Sequence, residues 1–413
     1  MGRVSALCAG IVGGVALACA GHVVASDHLW QMGLGGPADV INGLDVAEDG
    51  SAYVGYLEAD NGRRITIARI DGQTGFIDWF HTVKDGVALA GPAIVAVGND
   101  VVAIWTVAGE AVKLAGGGEM TRVLGRIERI APDGKARWQY TLDEAFEVQP
   151  VIVRAASEGG LLVGGFVRLK PDDPQIAWLT LLAADGNPIW ARTYPEGGGV
   201  NDIAMSDAKS ALIVGYAFDP DASPLDTHVF KPWALRVNLA TGESENLGKW
   251  SKSQRGELRA VSLLPGGPSC FAGSHVSRSK EAEPDKAFDS PEAGWLGMLA
   301  ADGSPLWDKV RVDVRSIAGI AVTEDGMCVA SGQLEPGGFG PGARWLGVFA
   351  RDGAFVGESR SDDDFDGAVG RVVFRRGGAL FVAGHRFPPV DDHGGWVARR
   401  SVDAVVSKAA FRN

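Results

Sequence analysis

The side chains able to do chemistry in this sequence are carboxylates that return copy after copy: Asp39, Asp85, Glu147, Asp202, Glu257, Asp313, Asp364 and Asp366. Carboxylates brought together repel one another unless countered. A ring of them would therefore favour a cation, a cationic ligand or a basic segment of a partner. Arg259, Arg315 and Arg371 lie near the last of these acids and could neutralise part of such a ring. A pair held roughly 5–10 Å apart would suit glycoside chemistry. The plainer reading makes them turn residues that hydrate loop ends. His228, His275, His385 and His393 fall in or beside long polar segments. They lack H-x3-H or H-E-x-x-H spacing, so no metal site is expected. "SDDDFDG" is only a loose echo of a calcium loop, because Val373 stands where the D-x-[DN]-x-[DN]-G-x5-E pattern needs its Glu, and there is no G-x-S-x-G nucleophile elbow.

The elements that position these residues follow from an internal repeat. "WLTLLAADGNPIW" at Trp178–Trp190 and "WLGMLAADGSPLW" at Trp295–Trp307 share the spacing W-x6-D-G-x3-W. The Asp-Gly pair recurs at Asp71, Asp133, Asp185, Asp302 and Asp352, with Thr241-Gly242 and Asp403-Ala404 as degenerate copies, an interval of about 55 residues. The first Trp recurs at Trp178, Trp233, Trp295, Trp345 and Trp396, with Arg64 and Arg126 in its place in the first two copies. The second recurs at Trp138, Trp190 and Trp307, with Trp79 and Trp250 displaced. Each copy reads as four strand-length apolar runs separated by Asp-Gly or Gly-Gly hairpin signals. No window of 12 or more residues keeps a clean helical period. Residues 26–413 are thus expected to form one all-β domain, a seven-bladed β-propeller of four-stranded antiparallel blades. The tryptophans would wedge between neighbouring blades. "HLWQMG" around Trp30 and "VVSKAAF" near the C-terminus compete for the strand that closes the ring.

The unit resembles the W-x-x-x-L-D-x-x-G-x-x-x-W-x-K-x-[YF]-G-G … D-G-G-Y-x-x-[AV]-G repeat of secreted bacterial propeller-like proteins. "WLTLLAADGNPIWARTYPEGGG", "WLGMLAADGSPLWDKV" and "EDGSAYVGY" carry the likeness. More distantly it is similar to the quinoprotein-type propeller repeat. The resemblance spans roughly residues 29–413 and implies a fold far more than an activity. Quinone-dependent enzymes with this kind of repeat carry a vicinal Cys-Cys and often eight blades, and this chain has neither.

Composition narrows the function classes. The 413 residues carry a net charge of −12 and no compensating basic patch, which argues against nucleic acid. The 58 glycines, about twice the usual share, are spread as turn residues are. Residues 1–25 read as a cleaved signal peptide: one Arg, an apolar run, then small residues. A periplasmic or extracellular protein is expected. Lipid anchoring at Cys19 is the lesser alternative, since Ala rather than Leu stands three residues before it. No later segment is apolar enough to span a membrane. Cys270 and Cys328 occupy equivalent positions in adjacent copies. On sheets about 10 Å apart they should remain two buried free thiols.

In a propeller the loops between strands 2 and 3 and between units share one face, and here the 2–3 loops hold nearly all the insertions. "VAGEAVKLAGGGEM" and "FDPDASPLDTHVFKP" are two of them. The expectation is an exported, non-catalytic monomer that binds a protein or polymer across that face, with no cofactor. A hydrolase or lyase using the funnel carboxylates is the alternative, and a quinone-dependent oxidoreductase a more remote one.

Overall fold

The glycine-marked turns cut the chain into short strands. The computed structural model describes residues 28–36, 39–58, 63–83, 87–114, 116–219, 230–247, 250, 255–264, 267–276, 292–334, 344–360, 368–375, 379–390, 393–402 and 405. These carry twenty-eight strands and one 3-10 turn, Ser157–Gly159. The first strand, β1, is His28–Leu34. Val40–Val46, Ala52–Glu58, Arg64–Ile70 and Ile77–Thr82 are β2–β5. Ala88–Val97, Asp100–Lys113, Glu119–Ile130 and Ala136–Leu142 are β6–β9, followed by Glu147–Ala155, Leu161–Arg168, Ile176–Leu182 and Pro188–Tyr194 as β10–β13. Gly199–Met205, Ser210–Phe218, Phe230–Asn238 and Ser244–Asn246 are β14–β17; Gly256–Leu263, Ser269–Val276, Glu292–Leu299 and Pro305–Arg311 are β18–β21. Val314–Val322, Cys328–Leu334, Arg344–Phe349 and Phe355–Arg360 are β22–β25, and Ala368–Arg375, Ala379–Val390 and His393–Ser401 are β26–β28.

The all-β reading holds, but the expectation of seven separate four-stranded blades does not. Among the described residues five sheets have four strands each, and β6–β13 merge into a single eight-stranded sheet. The join is a parallel bridge between Glu147 in β10 and Val123 in β8. Its cause is the segment expected to be a long 2–3 loop. Residues 107–113 and 119–120 instead prolong β7 and β8, which pair as far as Lys113 with Glu119. That extension brings Val123 beside the incoming chain, where its N–H also reaches the Phe146 carbonyl at 3.3 Å. The inner strands β2, β6, β10, β14, β18, β22 and β26 contact one another in cyclic order around a central channel. The N-terminal strand closes the ring: β1 pairs antiparallel with β28, so Trp30 takes the outermost place of the last sheet. The C-terminal "VVSKAAF" and segment 1–25, the one expected to be a signal peptide, lie outside the described residues, Val405 apart.

The two tryptophans of the repeat do different work. The first sits on the third strand of its sheet and is buried, opposite a glycine on the second strand. The pairs are Trp178 with Gly165, Trp233 with Gly215, Trp295 with Gly273, Trp345 with Gly332 and Trp396 with Gly384. In the second copy the roles change places, Trp105 standing on the second strand opposite Arg126.

The second tryptophan sits on the fourth strand and reaches the next unit's turn. Indole N–H groups donate from Trp30 to the Gly72 carbonyl (2.9 Å), Trp79 to Pro132 (2.8 Å), Trp138 to Ala184 (3.1 Å), Trp190 to Leu239 (2.8 Å) and Trp307 to Arg351 (3.0 Å). The ring then lies on the turn glycine. A Cβ at Gly134, whose φ is +81°, would stand 3.2 Å from the Trp79 ring, and one at Gly353 2.8 Å from Trp307. The Asp-Gly turn is thus a socket for the preceding unit's tryptophan, which is why the motif is written as a pair. Trp79→Phe, which keeps the ring but loses the donor, is expected to cost about 1 kcal/mol in urea unfolding. Trp79→Ala should cost about 3 kcal/mol. Equal costs for the two would contradict this division of labour.

Cys270 and Cys328 are not free thiols. They form a disulfide between β19 and β23, with Cα atoms 6.2 Å apart. Ala260, Ala272 and Ala330 share this core with larger side chains such as Leu264 and Met298, and the two Cα atoms stand within disulfide reach rather than at the usual sheet spacing.

Candidate functional site

The inner strands enclose a channel of about 880 Å³, lined by small apolar side chains and a few charged ones, among them Asp45, Asp202, Arg129 and Arg154. The acids serve the ring itself. Asp45 accepts the N–H of its neighbour Val46 (2.9 Å) and, across the interface, that of Ala96 (2.8 Å). Asp202 does the same with Ile203 (2.9 Å) and Val261 (2.9 Å), and pairs with Arg154 at 2.6 Å. Asn42 and Asn201 donate to the next inner strand at Gly91 and Leu258, each at 2.8 Å. These side chains belt consecutive inner strands together, and sequence inspection had singled out only Asp202.

The other carboxylates expected at the funnel are also engaged. Asp39 is buried and accepts the Gly36 N–H at 2.6 Å, capping its own turn. Glu147 pairs with Arg168 (2.9 Å) and accepts from Gln149. Glu257 pairs with Arg259 (2.6 Å) and accepts from Asn201 (3.2 Å). Asp313 joins Arg311 (2.9 Å), Arg360 (2.8 Å) and, through them, Glu358. The hydrogen bonds from Arg311 hold the Asp313 carboxyl down at about 2, against the opposing effect of burial. Arg315 is exposed. Asp85, Asp364, Asp366 and His228 lie outside the described residues. Arg371, His385 and His393 are placed only as strand positions, opposite Ala383, Gly395 and Val390. His275 packs against Trp295 at 6.4 Å between ring centroids. Among the described residues no group of three His, Cys, Asp or Glu is arranged to hold a metal ion.

One histidine that sequence reasoning passed over bridges two units. His81 on β5 places Nδ1 3.0 Å from the Gly134 carbonyl and Nε2 3.3 Å from Glu128. The hydrogen bond with Glu128 raises its pKa above the ordinary value, with burial opposing. The protonated ring therefore fits the folded protein better than the unfolded chain. Its contribution is whole below the unfolded value of about 6.5 and fades as the pH climbs through the higher folded value. Urea midpoints taken from about pH 6 to about pH 9 should fall in the wild type and fall less in His81→Gln. Parallel curves would remove His81 as the cause.

The face that carries the 2–3 connections holds an aromatic cluster. Tyr216 and Phe218 end β15 and Phe230 begins β16, so Phe218 and Phe230 are cross-strand partners. Ring centroids lie 4.6 Å apart for Tyr216–Phe230, 5.8 Å for Phe218–Phe230 and 5.9 Å for Tyr216–Phe218. The "EGGGV" segment lies flat beneath them: a Cβ at Gly198 would meet Tyr216 at 2.7 Å and Phe218 at 2.9 Å. Burial, then the Glu257 and Glu147 carboxylates, push the Tyr216 phenol up to about 12. Phe218 is nevertheless 41% exposed and Leu169 50%. Phe218, Arg168, Pro174 and Gln175 bound a cleft of about 330 Å³. A sequence signal for this cluster existed: the insertion at residues 218–230 begins and ends with Phe.

No protein-family model matches the chain, and no curated protein matches it. Solved structures resemble it at low identity. The Pan2 WD40 domain of Neurospora crassa has a TM-score of 0.54 at 10% identity, over 92% of this chain and 97% of that one. The polysaccharide lyase Uly1 has 0.52 at 8% identity, over 88% and 90%. The β-propeller domain of the Trilobed protease from Pyrococcus furiosus, described as having an open velcro topology, has 0.50 at 10% identity, over 88% and 97%. At these identities the likeness is one of fold: the chain is an all-β propeller.

Proposed function

We propose that this chain is an exported, non-catalytic propeller that binds a protein or polymer across the face bearing Phe218. The observation that carries this reading is the aromatic cluster Tyr216–Phe218–Phe230 opening onto a mostly apolar cleft between two units. Rigid rings on a glycine-backed platform lose little freedom when a ligand covers them. Binding is favoured over acid–base chemistry because the described funnel acids are tied to guanidinium, amide or backbone N–H groups. A carboxyl held at about 2, as Asp313 is, makes a poor proton donor near neutral pH. Export is supported by the apolar N-terminal segment and by the disulfide, a bond that persists in oxidising compartments. Among the described residues no helix is long and apolar enough to cross a membrane.

The test places p-benzoylphenylalanine at position 218, or at position 76 on the outer strand side as a control, and irradiates cells of the native host. Phe76 is 63% exposed, so the two probes differ in location rather than in accessibility. Adducts are expected at 218 and absent at 76. Adducts at 76 alone would overturn the reading.

A further inference from the structure

We infer that the occupant of the Phe218 cleft is a neutral polysaccharide, one pyranose unit resting on the Phe218 ring. This rests on the reading of that face as the binding surface and names its partner. The cleft is mostly apolar, bounded by the exposed Phe218 and by Pro174, with Arg168 and Gln175 completing its rim. A pyranose presents matching chemistry: an apolar C–H face for the ring and hydroxyls that both donate and accept. Gln175 offers both roles, and Arg168 supplies donors in a fixed fork.

The polar groups are held in advance. Arg168 Nε is fixed by Glu147 at 2.9 Å and its Nη1 points to the Pro171 carbonyl at 3.4 Å. Phe218 is braced edge-on by Tyr216 at an interplanar angle of 88° and again by Phe230. Charge decides between polymers. The Glu147 carboxylate neutralises Arg168, and the chain as a whole carries −12, so an anionic uronate chain would be repelled. A cationic polymer would need an unpaired acid, whereas Glu147 and Glu257 at this face both carry arginine partners. At about 330 Å³ the cleft is at the small end for a ligand site, roughly 300–1,000 Å³, and suits one or two units of a longer chain.

The experiment is native electrophoresis of the mature protein through gels containing hydroxyethylcellulose, galactomannan, laminarin or dextran, with alginate and polygalacturonate as charged polymers. Retardation by at least one neutral polymer is expected. Phe218→Ala should weaken it about tenfold, Phe218→Tyr should largely retain it, and Phe76→Ala should leave it unchanged. Gln175→Ala should weaken it by a smaller factor. No retardation by any neutral polymer, retardation by the charged polymers alone, or retardation that survives Phe218→Ala would each overturn the inference. The cross-linking at position 218 separates the two levels. Adducts without polysaccharide retardation leave the binding face standing and remove the sugar; the absence of both removes the face as well.

Discussion

Replacing Cys270 and Cys328 together with alanine is expected to lower the unfolding free energy by about 4 kcal/mol. The two residues are 58 apart in sequence and fully buried. Cross-linking a loop of that length removes about that much conformational freedom from the unfolded chain in the chain-entropy treatment. Domains commonly retain only about 5–15 kcal/mol in total, so the loss is a large share. The bond ties β19 to β23, and hence two neighbouring sheets, inside a core that also holds Leu296, Met298, Ile317 and Trp345. Urea unfolding of the oxidised protein, the reduced protein and the double variant measures it. Reduced protein and variant should shift together to lower urea. Coincident curves for oxidised and reduced protein would show that the bond carries no stability.

Gly165→Ala is expected to cost about 3 kcal/mol, although the change adds a single methyl group. Gly165 stands on a second strand opposite a first strand that bulges between Pro150 and Ile152. The bulge turns the Gln149 carbonyl onto the glycine, and a Cβ there would overlap that oxygen. Gly215 and Gly273 meet the Gly199 and Glu257 carbonyls in the same way, beside equivalent bulges at Val200/Asp202 and Leu258/Ala260. On its other edge the strand is held in register by β12, where Trp178 is the partner of Gly165. Gly116→Ala, where a Cβ would meet nothing within 4 Å, should stay within about 0.5 kcal/mol of wild type. Equal effects at the two positions would mean that backbone freedom rather than close approach explains the repeated glycine.

The parts of the fold legible in the sequence are those that each copy of the repeat states for itself. A four-strand unit needs its own turn glycines, its own second-strand glycine and its own tryptophan, so the spacing of Trp178, Asp185 and Trp190 carries them. The closing strand stayed open between the segments around Trp30 and at the C-terminus, and the pairing of β1 with β28 places Trp30 in it. What escaped depends on distances between copies. The merger of β6–β13 hangs on one bridged pair, Glu147 and Val123, created by a hairpin whose composition resembles a loop. The disulfide escaped because sheet spacing was taken as uniform, whereas the Cα atoms of Cys270 and Cys328 stand 6.2 Å apart. The recurrence of the acids from copy to copy is a property of the sequence itself. That Glu147 and Asp313 face arginines of their own or a neighbouring strand is a tertiary fact. The aromatic cluster stands at the ends of an insertion that the sequence marks only as one of several long polar loops on the expected binding face.

Carbene footprinting of protein isolated from its own host, with and without stripping of bound material in denaturant followed by refolding, tests the binding face most directly. The account predicts that Leu169, Tyr216, Phe218 and Phe230 are shielded in the isolated protein and become labelled after stripping, while Phe76 is labelled equally in both. Shielding confined to the channel mouth around Asp45 and Glu48, with Phe218 labelled throughout, would contradict it.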